Sequence, residues 1–247
     1  MLLKKWEDLP PKLQNEEVRK YYDILKKKQV SLFFKRVFDI FAALIMLIIL
    51  LPVFLILAIA IKIDSKGPVF YRQVRVTQYC RDFRIFKFRS MVRDADKGSL
   101  VTVNKDARIT RVGRFIRRYR LDEISQLINV LKGDMTFVGT RPEVPKYVER
   151  YTSEMMATLL LPAGITSLAS ICYKDEAELI STAEDADKAY VEKILPGKMY
   201  YNLKSIETYG IRHDIKVMFM TVFAVLGKKY HDESGLKETE GEQAKRE

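Results

Sequence analysis

The sequence predicts a helix-dominated α/β protein: a broken, re-entrant membrane helix joined to a cytoplasmic domain with a small β-hairpin and amphipathic interfacial helices. Three observations predict it. Ile40 to Ile61 is a run of 22 residues without a charge. Basic residues flank both ends of that run. Beyond it, short stretches rich in Val, Phe, Tyr and Ile alternate with segments of helical spacing.

Residues 1–32 mix charge with Trp6, Tyr21, Tyr22, Ile24 and Leu25, and are expected to lie as a helix along the membrane surface. Residues 33–63 hold the apolar run. A straight helix of that length would measure about 33 Å, so length alone fits a single crossing. Two features favour re-entry. Pro52 removes one helical hydrogen bond and crowds the preceding turn, so a break is expected there. Lys26, Lys27, Lys28, Lys35 and Arg36 flank one end, and Lys62, Lys66, Arg72 and Arg75 flank the other. Basic flanks stay cytoplasmic, and both can do so if the helix enters and leaves by one face. Asp39 sits beside Lys35 and Arg36 and is expected to pair with one of them. The run begins too late for a cleaved signal peptide.

Residues 64–227 form the main domain. Segments 68–76 and 83–91 read as strands, and Thr77–Asp82 as the turn between them. Residues 107–120 are basic with apolar spacing. Asp122 to Lys132 is expected to be one helix: Ile124, Leu127, Ile128 and Leu131 fall at i, i+3, i+4 and i+7, and Gly133 ends it. Ile215–Leu226 carries one charge and is too short to span, so it reads as a core or an interfacial helix. Residues 228–247 are polar and expected to be disordered.

Charge is concentrated. The window Lys66–Leu121 holds 16 Lys/Arg against 4 Asp/Glu, while the rest of the chain is balanced at 27 against 28. Such a window suits a phosphate-rich partner: nucleic acid, nucleotide or lipid headgroup. Two cysteines and two histidines exclude a disulfide framework and a Cys/His zinc site. No Walker loop, dinucleotide glycine loop or GxSxG elbow occurs. Cys80 reads as a bystander in a basic turn, and His213 and His231 as surface or structural residues.

One constellation can carry chemistry. Arg117, Arg118 and Arg120 immediately precede the carboxylates Asp122 and Glu123. Acids in a first turn are ordinary helix caps. Beside several arginines, however, a carboxylate stays ionised, and the same arginines bind phosphate oxygens. An ionised carboxylate held against phosphate is a candidate nucleophile, and its neighbour can hold Mg²⁺. Arg141, nineteen residues after Asp122 in a Gly-Thr-Arg-Pro turn, can return to the same place.

These residues bring the chain into resemblance with a known family. Lys35-Arg36-Val37-Phe38-Asp39, the apolar run with Pro52, Asp64 to Gln73, and Phe86 to Met91 resemble motifs of the bacterial sugar transferases. So do Leu121-Asp122-Glu123, Asn129 to Met135, Val138-Gly139 with Arg141-Pro142, and Gly164-Ile165-Thr166. These are the small monotopic phosphoglycosyl transferases that act on polyprenyl phosphates. The resemblance covers about residues 33–226.

It implies an enzyme that moves a sugar 1-phosphate from a UDP-sugar to a polyprenyl phosphate, such as undecaprenyl phosphate, releasing UMP. It also implies a covalent route, with Asp122 as nucleophile and Glu123 helping to bind Mg²⁺. Arg117 and Arg141 would lie at the phosphates. Lys87, Arg89 and Arg72, inside the matching motifs, are expected phosphate contacts too. Pro52 would mark the re-entrant break. The enzyme would sit on the cytoplasmic face of the bacterial inner membrane, begin a glycoconjugate pathway, and need no nucleic acid; a homo-oligomer is compatible.

The chain departs from the family pattern at Ile124 and Ser125, where Leu-Pro is usual, and at Thr140, where proline is usual. It departs again at Ala163, Ser167, Leu168 and Thr77. The competing reading is a membrane-tethered nucleic-acid-binding module, with Phe83, Phe86 and Phe88 among the basic residues as a stacking surface.

Overall fold

The computed structural model describes residues 2–93, 95, 107–174, 185–228 and 230. The expected tail at 228–247, with His231, lies almost wholly outside them. The described chain is mostly helical, with two small two-stranded sheets.

Helix α1, Glu16–Lys26, starts where the Asn15 side chain accepts a hydrogen bond from the Val18 N–H, with Glu16 and Glu17 in its first turn. Its apolar residues Val18, Tyr21, Tyr22 and Leu25 line one face. That face does not meet a membrane. It is buried with Leu13, Leu159, Leu160, Ile206 and Tyr209 in one core cluster. The expected interfacial extension is therefore an integral layer of the main domain. Periodicity identifies an apolar face but not what covers it.

Helix α2, Gln29–Asp64, carries the apolar run. It is the one helix among the described residues long and apolar enough to cross a membrane. It continues through Pro52, where the sequence predicts a break. Proline removes only one N–H donor, and away from water the other backbone bonds are worth keeping. Ile45, Ile48, Ile49, Leu51, Leu55, Ile56 and Ile59 on α2 are exposed.

Both ends of α2 are tied to the same body. At the first, Lys35 Nζ lies 2.6 Å from Asp214 Oδ2 and 4.0 Å from Asp39 Oδ1. The Thr136 hydroxyl donates to Asp39 at 2.5 Å, and Arg36 donates to the Val130 and Leu131 carbonyls. At the second, Leu57 and Ile61 are buried with Phe88 and Ile116. The Asp64 carboxylate accepts the Val112 N–H at 2.9 Å.

Strands β1, Phe70–Thr77, and β2, Arg81–Phe88, form the expected antiparallel hairpin, with Phe70 opposite Phe88 and Thr77 opposite Arg81. Its turn places Tyr79 and Cys80 at positive φ. Burial pushes the Cys80 thiol up, the opposite of an activated nucleophile. Helix α3 is Arg111–Arg118, N-capped by Thr110.

The expected single helix from Asp122 to Lys132 is two pieces. A 3₁₀ turn spans Leu121–Gln126, and α4 spans Leu127–Lys132, ending at Gly133 with φ 84°. The tighter winding follows Arg120, whose backbone is left-handed (φ 55°). Strand β3, Met135–Val138, pairs in parallel with β4, Ala163–Thr166. At Gly164 a Cβ would come within 2.2 Å of the Gly139 backbone, so both strands depend on that bare position.

Short helices α5, Pro145–Val148, α6, Leu168–Cys172, and α7, Ala186–Ala189, lead to a π-helical turn at Tyr190–Ile194 and to α8, Leu195–Glu207. Helix α9, Ile211–Val225, buries Val217 against β3 and β4 but exposes Ile215, Phe219, Val222 and Phe223. The two sequence alternatives for this segment thus hold on opposite faces. His213 is a structural residue, with Nδ1 3.5 Å from Asp214.

Candidate active site

The hairpin and the 3₁₀ turn at Leu121–Gln126 border a cavity of about 650 Å³. The pleat places Arg75, Gln73, Tyr71 and Lys87 on one face of the sheet. Among the described residues, Asp122 is the only carboxylate in the cavity wall. Around it the described wall holds Arg72, Arg75, Lys87, Arg89, Arg93, Arg108 and Arg117. That imbalance suits a ligand carrying several negative charges.

Asp122 sits on the first 3₁₀ turn. Its carboxylate makes no hydrogen bond among the described residues. Burial and the neighbouring Glu123 push it up, while Lys87, Arg117 and Arg141 pull it back toward the charged form. Glu123 is held through one oxygen. Arg141 donates to its Oε1 at 2.6 Å, and Arg120 lies 4.0 Å away. Burial pushes Glu123 up, but Arg141, Lys87 and Arg120 outweigh it and hold the carboxyl down to about 2. Burial and then Arg141 push Lys87 down to about 8.

Sequence-predicted residues divide here. Asp122, Lys87, Arg117 and Arg72 reach the cavity wall together. Arg72 stacks on Phe86 at 3.6 Å. Arg141 reaches Glu123, the neighbour of Asp122, at 2.6 Å. Arg89 has a second role. Although it borders the cavity, its guanidinium donates to the carbonyls of Ile61, Ser65 and Lys66, at 3.4, 2.7 and 2.8 Å. It clamps the end of α2. The close approach at Gly67, where a Cβ would meet the guanidinium at 2.0 Å, belongs to the same clamp.

Sequence reasoning missed Arg75, although alternation along β1 puts it on the same face as Tyr71. Ser125, at a departure from the family pattern, uses its hydroxyl to donate toward the Phe86 and Asp122 carbonyls, both at 3.1 Å, tying the 3₁₀ turn to β2. The nucleic-acid reading loses its stacking surface: Phe83 and Phe88 are buried, and Phe86 is covered by Arg72.

Among the described residues, one carboxylate thus stands in a cavity wall of cations, and the same body carries a long exposed apolar helix. The chain belongs to the bacterial sugar transferase family, whose model matches residues 30–228. It is similar to a UDP-N-acetylgalactosamine-undecaprenyl-phosphate N-acetylgalactosaminephosphotransferase of Aeromonas hydrophila: 35% identity over 198 residues, covering 78% of this chain and 44% of that protein. A UDP-glucose:undecaprenyl-phosphate glucose-1-phosphate transferase of Klebsiella pneumoniae is 36% identical over 199 residues, covering 78% and 40%. The exopolysaccharide production protein PSS of Rhizobium leguminosarum bv. phaseoli is 33% identical over 213 residues, covering 80% and 97%. The chain thus spans less than half the length of the first two and nearly all of the third.

Proposed function

We propose that the protein transfers a sugar 1-phosphate from a UDP-sugar to undecaprenyl phosphate and releases UMP. The observation that carries this reading is the Asp122 carboxylate, without a hydrogen bond among the described residues, in a wall of cations. Asp122 attacks the sugar-bearing phosphorus of the donor. The bond to the bridging oxygen breaks, and its electrons leave with UMP. A phosphate oxygen of the lipid then attacks the same phosphorus and displaces the Asp122 carboxylate, giving the lipid diphosphate sugar. Lys87, Arg117 and Arg72 hold the phosphate oxygens through both steps, and Arg141 keeps Glu123 charged beside them.

The donor set suits Mg²⁺. Asp122 and Glu123 are adjacent hard oxygen donors, and among the described residues no cluster of three or more His, Cys, Asp or Glu forms a full protein cage. A site of one or two carboxylates completed by substrate phosphates and water is the usual arrangement for this ion. When bound, it would neutralise charge on the transferring phosphate.

The release of UMP from a panel of UDP-sugars, with undecaprenyl phosphate and Mg²⁺, tests the reaction. No release from any donor would sink it. The pH profile is a second prediction. Activity falls on the acid side as Asp122 takes up a proton, and on the alkaline side as Lys87 loses its charge near pH 8. Lys87→Arg keeps the cation at all accessible pH, so the alkaline limb of kcat/KM should move up by more than a unit. An unmoved limb would assign it to another group.

Re-entrant topology on the cytoplasmic face of the inner membrane is part of the proposal. Its support is that both ends of α2 are bonded to one body, through Lys35–Asp214 and through Arg89. A crossing helix would carry one end away. A cysteine placed at position 10 and another at position 66, labelled in intact cells, should both be unreachable from outside. Labelling of only one would establish a crossing.

A further inference from the structure

Arg75 is a cation of the cavity wall, held by Gln73 of the same wall and by groups that do not line it. Its Nε and Nη2 donate to Gln73 Oε1 at 3.0 and 2.7 Å, and its Nη1 donates to the Pro142 carbonyl at 3.0 Å. Its Nη1 also lies 4.0 Å from Glu143 Oε2. The Glu143 carbonyl in turn accepts the Val76 N–H at 2.9 Å, so this residue is bonded to the strand that carries Arg75.

Glu143 is buried, and its other oxygen is held from the far side. Lys198 of α8 donates to Oε1 at 3.2 Å, and the Tyr190 hydroxyl donates to the same oxygen. Lys198 also donates to the Tyr190 hydroxyl at 2.7 Å. Burial pushes the Glu143 carboxyl up, but Lys198 and Arg75 outweigh it and hold the group charged. A buried carboxylate between two cations is costly to assemble and is not needed to fill space. Its geometry is informative: one oxygen serves the structural lysine, and the other faces the cavity arginine.

We infer that Glu143, anchored by Lys198 and Tyr190, is a positioning residue that aims Arg75 and the Arg141–Pro142 turn at the diphosphate of the donor. The inference rests on the proposed reaction for the identity of the donor. It needs only a diphosphate ligand for its test. Nothing in the matched family motifs includes Lys198, and the pairing joins residues 55 positions apart.

The test uses the full chain in detergent, inorganic pyrophosphate as probe, and four variants. Arg75→Gln sets the loss expected when the guanidinium is gone. Glu143→Gln keeps the shape and removes the charge; pyrophosphate should bind about tenfold more weakly, matching Arg75→Gln. Lys198→Met alone strands the buried carboxylate and should lower the melting temperature. In Glu143→Gln/Lys198→Met both buried charges are gone, so thermal stability should recover while pyrophosphate binding stays weak. Recovery of binding in that double variant would mean that Glu143 only neutralises Lys198, and would overturn the inference. So would wild-type affinity in Glu143→Gln, or a wild type that binds no pyrophosphate. UMP release stands apart: a wild type that binds pyrophosphate through Arg75 but releases no UMP removes the reaction and keeps this inference.

Discussion

Asp122→Asn should abolish transfer, with UMP release falling by at least about 10³-fold. The substitution keeps size and shape, and the carboxylate has no hydrogen-bond partner among the described residues to lose, so the fold should be unaffected. What disappears is the negative oxygen. A neutral amide among the cations of the wall cannot displace UMP, even though the donor would still be held. The expected signature is therefore a collapsed kcat with a donor KM changed little. A labelled sugar phosphate should stay bound to wild-type protein when acceptor is withheld, and should not label the variant. Near-normal turnover in Asp122→Asn would transfer the nucleophile role elsewhere and sink the covalent scheme.

The second large effect is on stability. Lys35→Met should destabilise the protein by about 3–5 kcal/mol, the usual cost of stranding a buried charge. Lys35, Asp39 and Asp214 are all buried, and the lysine is the cation shared by the two acids. Without it, Asp39 keeps the Thr136 hydroxyl while Asp214 loses its 2.6 Å partner. Replacing all three together with apolar or amide residues should restore much of the loss, because the cost lies in the imbalance. Thermal melting in detergent reads this directly. A shift in Lys35→Met no larger than that of an exposed substitution would show that the cluster is wet and weakly coupled.

Local signals were legible in the sequence where chemistry is local. The hairpin, the left-handed Gly133 and the apolar run follow from spacing and residue type. Asp122, Glu123 and Arg141 were legible as a group because few residues combine carboxylates with that density of arginine. What could not be read depends on distant partners. Val18, Tyr21 and Leu25 mark an apolar face equally suited to lipid or to protein, and only the cluster with Leu160 and Ile206 decides it. Arg89 looks like any arginine of the basic window until its three carbonyl acceptors are seen. Strand β3 is buried at all four positions and shows no alternation to betray it. The 3₁₀ winding at Leu121–Gln126 follows from a positive φ at Arg120, a residue with no special preference for it.

The Arg89 clamp has a kinetic consequence. The side chain that fastens the last turn of α2 also borders the cavity, so the end of the apolar helix and the mouth of the cavity are one place. The two substrates of the proposed reaction then arrive by searches of different dimensionality. The nucleotide sugar diffuses in from bulk water and is drawn by the cations. The lipid phosphate searches only a plane, and its chain need never be lifted out of the hydrocarbon for its head to reach the phosphorus. Encounter with the acceptor is thus governed by its density per unit of membrane area, and diluting the membrane with inert lipid should slow the second step while leaving the first unchanged.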